Sequence, residues 1–149
     1  MLDSMSSFSL EDKIDLPKAT VWDNFFNKLN HWWSSDFYTS PRTKMFVIDT
    51  KIGGRMYEHF EEGAGEGLVW GDVIGVDIPN SLQVRGMLSG EFGGPAISFD
   101  KFIFEGDETQ TTPRYSVEFI GEIDEKTMNS LKTGWEKIFE EHFLPFCKE

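Results

Sequence analysis

Two carboxylates on neighbouring predicted strands, Glu58 and Asp72, are the groups best placed for acid–base or ligand-orienting chemistry. Strand alternation puts Met56, Glu58 and Phe60 on one face, and Trp70, Asp72, Ile74 and Val76 on one face of the next strand. If those apolar faces look inward, both acids come with them. A carboxylate in an apolar enclosure must be hydrogen-bonded or paired, or it holds its proton more tightly than in water. A bulge would break the parity and leave the acids wet. Glu58 is the stronger candidate for a polar group inside an apolar cavity.

The other reactive side chains carry less. His31, His59 and His142 lie in different segments, and no pair has the spacing of a helical metal site, so a metal centre is not supported. Packing accounts for His142 on an apolar helix face, and His59 is expected to face solvent. Cys147 is the single cysteine, which excludes an internal disulfide and a cysteine-based metal site. No nucleophile elbow, P-loop or dinucleotide fingerprint is present. The glycine-rich runs 61–67 and 90–94 join strand to strand, so neither offers the helix N-terminus that phosphate recognition uses. No cofactor is expected, and no catalytic residue is assigned.

The elements that must position these groups are legible from periodicity. A long amphipathic helix is predicted over Asp124–Phe146, with Met128, Leu131, Trp135, Ile138, Phe139, His142, Phe143 and Phe146 on one face. Lys132, Glu136, Lys137, Glu140 and Glu141 suit its solvated side. At the other end, Phe8, Leu10, Ile14 and Leu16 share a parity, which predicts a strand over Ser7–Leu16. Pro17 stops that strand and opens a helix to about Asn27, burying Val21, Phe25 and either Trp22 or Phe26. Asn30–Asp36 reads as a short helix or turn. From Thr43 the period becomes two, giving strands over Lys44–Asp49, Arg55–Phe60, Leu68–Asp77, Ser81–Leu88, Ala96–Glu105 and Arg114–Gly121. Short links make the sheet antiparallel, and segregated helices make the class α+β.

Bulk composition narrows the function. The 149 residues are expected to form one domain, 1–149. Fourteen Phe and five Trp suit either a dense core or the wall of an apolar pocket. A formal net charge of −12 argues against nucleic acid and against anionic membrane surfaces as partners. The first residues lack a basic region followed by an apolar run, and no stretch is apolar enough to span a bilayer. A soluble, cytoplasmic chain is the expectation.

Five segments then point to a family. They are the run from Leu16 and Pro17 to Val21 and Trp22 after the first strand, and the run Gly53, Gly54, Arg55, Met56, Tyr57, Glu58. Trp70, Gly71, Asp72 and Val73 follow, then the stretch Ile78 to Leu82, and last the pair Gly134 and Trp135 in the final helix. Taken in this order, they resemble the SRPBCC (START/Bet v1-like) superfamily, and within it the group related to the C-terminal domain of the Hsp90 ATPase activator. Two positions depart from that pattern. Gly86 stands where Trp is frequent, leaving cavity space or admitting a bulge, and Phe119 stands where many relatives have His.

The resemblance implies a helix-grip fold: a curved antiparallel sheet around the C-terminal helix, with two short helices after the first strand closing one end. It also implies a deep, mostly apolar cavity lined by Trp33, Tyr57, Glu58, Trp70, Val84, Phe99, Tyr115 and Trp135, with Arg85 a further orienting group. A small hydrophobic ligand of the lipid, sterol or polyketide class is the first expectation. A chaperone partner of the Hsp90 type is an alternative, weakened by the acidic single-domain chain. A cyclase or hydrolase using Glu58 is another, and Phe119 argues against a catalytic dyad. Pairing of edge strands leaves monomer and homodimer both open.

Overall fold

The computed structural model describes residues 2–9, 13–61 and 65–149. Seven antiparallel strands form one sheet: β1 (Leu2–Ser9), β2 (Met45–Ile48), β3 (Arg55–His59), β4 (Gly67–Asp77), β5 (Ser81–Leu88), β6 (Ala96–Gly106) and β7 (Thr111–Gly121). Their order across the sheet is β1-β7-β6-β5-β4-β3-β2. The first strand differs from expectation: it starts at Leu2 and pairs with β7 from Leu2↔Gly121 to Ser9↔Arg114. Leu10 lies outside the described residues, and Ile14 makes only an isolated bridge to Thr111.

Between β1 and β2 come α1 (Lys18–Trp22), a π-helical turn over Asp23–Asn27, α2 (Leu29–Trp32) and a 3₁₀ turn over Ser35–Phe37. Pro17 sits immediately before α1, where its missing N–H leaves no helical bond unmade. After β7 the chain enters α3 (Glu125–Lys137), a π-helical segment over Ile138–Phe143, and α4 (Leu144–Cys147). Asp124 caps α3 by accepting a bond from the Thr127 N–H at 2.7 Å. The π segment inserts an extra residue per turn and rotates the buried face. Leu144 and Cys147 are therefore buried as well, beyond the face that simple periodicity predicts.

The sheet wraps this C-terminal helix, and its curvature is tied to two bulges in β4. Met56 pairs with Gly71 but Tyr57 with Val69, so Trp70 is the inserted residue. Val73 pairs with Val84 but Gly75 with Gln83, so Ile74 is the second. A bulge lets neighbouring residues point the same way and bends the strand. Both sites bear directly on the parity of Asp72.

Along β6 the interior divides into two halves. Phe102 and Phe104 belong to a packed half centred on Phe25. The Phe25 ring lies 5.0 Å from Trp32 and from Phe143, 5.3 Å from Phe139, and 5.7 Å from Phe102 and from Phe104. Tyr115 stacks on Trp135 at 5.0 Å, and both contact Phe102. These three rings form a partition, and on their far side the interior is open. The aromatic load thus serves both a dense core and a cavity wall.

Candidate ligand cavity

The open half encloses a cavity of about 490 Å³ between the sheet and α3. Its walls come from Met56 on β3, Leu68 and Trp70 on β4, Val84 and Gly86 on β5, Phe119 on β7, and Leu131 and Trp135 on α3. Exposed Met87, Glu91 and Phe92 mark its mouth, beside a 3₁₀ turn over Gly90–Phe92. Val84, Phe119 and Trp135 are buried, so they belong to wall and core at once.

Besides Thr39 and Ser89, a hydrogen-bonded polar cluster interrupts this apolar lining. Ser98 and Asp100 project inward from β6, and Tyr115 does so from β7. Ser98 donates to Asp100 Oδ1 at 2.6 Å, and the Tyr115 hydroxyl donates to Asp100 Oδ2. Burial pushes the Asp100 carboxyl above its ordinary range, against the lowering effect of these two bonds. Burial likewise pushes the Tyr115 phenol well above its ordinary range, and the adjacent carboxylate adds to that. A carboxyl so placed can donate a hydrogen bond when protonated, or accept one and hold a cation when ionised.

Gly86 is what leaves room for this cluster. A Cβ there would collide with the Ser98 hydroxyl and approach Asp100 Oδ1 to 3.5 Å. The β5–β6 register runs unbroken through Gly86↔Ser98, so the departure from Trp makes space and admits no bulge.

Of the residues expected to line the cavity, Trp70, Val84, Tyr115 and Trp135 do so. Trp33 sits one layer behind, stacked on Phe46 at 4.2 Å with its ring 6.2 Å from Trp70 and 6.1 Å from Trp135. Tyr57, Arg85 and Phe99 do not line it. Each alternates with an inward neighbour (Met56 and Glu58, Val84 and Gly86, Ser98 and Asp100), so strand geometry turns it to the outer face. Arg85 there pairs with Asp72 at 3.4 Å, the arginine exposed and the carboxylate half-buried.

The two carboxylates singled out by sequence therefore part company. The Trp70 bulge sends Asp72 outward, whereas Glu58 is fully buried. Glu58 does not reach the cavity as a free group. Its Oε1 accepts the Thr39 N–H at 2.9 Å and the Thr43 hydroxyl at 2.5 Å. Its Oε2 accepts the Thr39 hydroxyl at 2.6 Å and the Trp70 indole N–H at 2.7 Å. Four donors saturate the carboxylate, which ties the 39–43 loop and the Trp70 wall together. These bonds occupy the lone pairs that the orienting and acid–base roles expected of Glu58 would use.

Asp100 is the group that sequence reasoning passed over, in favour of its neighbour Phe99. A signal was available. Tyr115, Val117 and Phe119 alternate cleanly on β7, and the short β6–β7 turn sets Phe102 opposite Tyr115 and Asp100 opposite Val117. Inward Tyr115 and Val117 bring Asp100 inward with them. Other reactive residues are accounted for by packing. Burial pushes the Cys147 thiol up to about 11, despite a bond from Asn24, so it is not a ready nucleophile. His142 packs edge-on against Phe37, and His59, expected in solvent, is half-buried beside Tyr57.

The raised carboxyl makes a stability prediction with a definite sign. Asp100 binds its proton more tightly folded than unfolded, so its ionisation destabilises the fold once pH exceeds the ordinary value of 3.8. Below that value both states are protonated and nothing is lost. Asp100→Asn is therefore expected to be more stable than the parent at neutral pH, with the gain vanishing in acid. Urea unfolding across a pH series checks this, and a gain independent of pH would contradict it.

No family model matches the chain, and no curated protein matches its sequence. Solved structures do match in three dimensions. Ara h 8.0201 aligns with a TM-score of 0.66 at 11% identity, over 97% of this chain and 98% of its own. The Zhui aromatase/cyclase from a Streptomyces species aligns at 0.65 and 12% identity, over 99% of this chain and 94% of its own. Norcoclaurine synthase from Thalictrum flavum, in complex with dopamine and hydroxybenzaldehyde, aligns at 0.57 and 11% identity, over 97% of this chain and 86% of its own. Together with the sheet order and the gripped C-terminal helix, these likenesses establish that the chain has the α+β helix-grip fold of the SRPBCC (START/Bet v1-like) superfamily.

Proposed function

We propose that the protein binds a small, mostly apolar molecule in the cavity between the sheet and α3, orienting it by a polar contact with Asp100 and Tyr115. The carrying observation is the cavity itself: about 490 Å³ of open, apolar-walled space beside a cluster of buried aromatic side chains. That volume falls inside the roughly 300–1,000 Å³ typical of small-molecule sites, which also share its pattern of apolar walls with a few convergent polar groups. Apolar area removed from water supplies affinity at about 25 cal/mol per Å². The Asp100 cluster supplies orientation, because a ligand that leaves it unmatched loses a buried hydrogen bond. The fold is shared with an aromatase/cyclase and with norcoclaurine synthase, which is consistent with an interior of this kind accepting ring-bearing molecules.

A catalytic reading has one observation in its favour, the buried carboxyl–phenol pair with both groups shifted upward. It would assign acid–base work to Asp100, since Glu58 has no free lone pair to offer. The chaperone-partner alternative stands on the family resemblance alone.

A neutral naphthalene fluorophore such as N-phenylnaphthylamine tests the binding reading. It is expected to brighten on mixing and to quench the emission of Trp70 and Trp135, which share its wall. Leu131→Trp, which projects bulk into the cavity from α3, should weaken that binding by about tenfold or more. Unaltered binding by this variant would place the probe elsewhere and remove the reading's support.

A further inference from the structure

The cavity's ionisable lining is of one sign. Among the described residues that line it, the ionisable groups are Glu91 at the mouth and Asp100 and Tyr115 within, and none is Lys, Arg or His. The nearest guanidinium of β5, on Arg85, is turned to the outer face and engaged with Asp72. Asp100 accepts bonds from two neutral hydroxyls, which leaves each carboxylate oxygen a second lone pair, and Asp100 lines the cavity. An entering carboxylate or phosphate would meet a like charge without a compensating cation, in a site where low dielectric strengthens every interaction.

We infer that the cavity takes a lipophilic amine, with its ammonium group seated on the Asp100 carboxylate, and that it rejects fatty acids and other anionic lipids. This rests on the binding reading above and names its ligand class. An ammonium supplies the opposite charge that the fold itself does not place beside Asp100, together with up to three donors for the unused lone pairs. Tyr115 and Trp135 present ring surface to the same space, and ring faces attract cations once both are shielded from water. The apolar walls then take up the rest of the molecule. Charge pairing also fits the burial of the carboxyl: an ammonium would restore the ionised form that burial disfavours. The acidic exterior, with its net charge of −12, raises the local concentration of cations and lowers that of anions near the mouth.

Displacement of bound N-phenylnaphthylamine by three molecules of one skeleton decides the matter: phenylbutylamine, phenylbutanol and phenylbutyrate. The amine is expected to displace the probe about tenfold more effectively than the alcohol, with the carboxylate weakest. In Asp100→Asn the ratio of amine to alcohol should collapse to about one, a readout that does not depend on how well the variant binds in absolute terms. Asp100→Ser provides a second variant with the same expectation. An alcohol or carboxylate that competes as well as the amine in the parent would overturn the inference and leave the binding reading standing. So would an amine preference that survives both substitutions. Failure of the probe to bind the parent at all would bring down the binding reading and the inference together.

Discussion

Replacing Glu58 by Ala should lower the unfolding free energy by roughly 3–5 kcal/mol, because several buried donors lose their acceptor at about 1–3 kcal/mol for each left unsatisfied, partly offset by rehydration. For a chain of this size that is a fall on the order of 10 °C in the midpoint of thermal unfolding. The more informative variant is Glu58→Gln, which keeps the shape. Each carboxylate oxygen accepts one N–H that cannot rotate away: Thr39 N on Oε1 and the Trp70 indole on Oε2. Whichever way the amide is turned, its NH₂ faces one of them donor to donor. The threonine hydroxyls can reorient, but these two groups cannot. Glu58→Gln is therefore expected to be clearly destabilised, with probe affinity reduced as well, since Thr39 and Trp70 both line the cavity. Calorimetry and fluorophore titration of the same samples provide the check. A Gln variant as stable as the parent would mean that the four-donor geometry does not hold the wall.

Phe25→Ala should be comparably destabilising, by roughly 3–5 kcal/mol, through lost burial and the cavity left behind. Phe25 is fully buried and joins the π-helical turn after α1 to β6 and to the C-terminal helix, touching Phe102, Phe104, Phe139 and Phe143. With Trp32 of α2 its neighbours come from three separate elements, so no small local shift can close the space. The effect on ligand should differ from that at Glu58. Tyr115, Trp135 and Phe102 stand between Phe25 and the cavity. Under conditions where the variant stays folded, probe affinity should remain within about threefold of the parent. Loss of binding in step with stability would show that the two halves of the interior are coupled and that the ring partition does not isolate them.

Some parts of the molecule are written locally. Strand β5 runs over Ser81–Leu88 as alternation predicts, because Pro79 and Asn80 punctuate its start and Leu82 and Val84 mark its buried face without a break. The start of α3 at Asp124 is equally local, since a capping carboxylate needs only the N–H three residues on. The α+β class follows from short strand links and one strong helical face, both readable at a distance of a few residues, whereas the gripping arrangement is what the family resemblance implies. The cavity's chemistry is of another kind. Whether Asp72 points in or out depends on the inserted Trp70, and a bulge exists only in the pairing of two strands. Whether Asp100 or Phe99 faces the interior depends on the register with β7, since apolar residues occupy both parities of β6. Three of the four donors to Glu58 come from Thr39 and Thr43, in a loop with no periodic pattern to place it. Period and punctuation act between near neighbours, so they locate β2 to β7 and the start of α3 to within a few residues, whereas the first strand, expected over Ser7–Leu16, forms over Leu2–Ser9 by pairing with β7. Which carboxylate faces the ligand is a property of contacts between strands, and only their assembly into the curved sheet decides it.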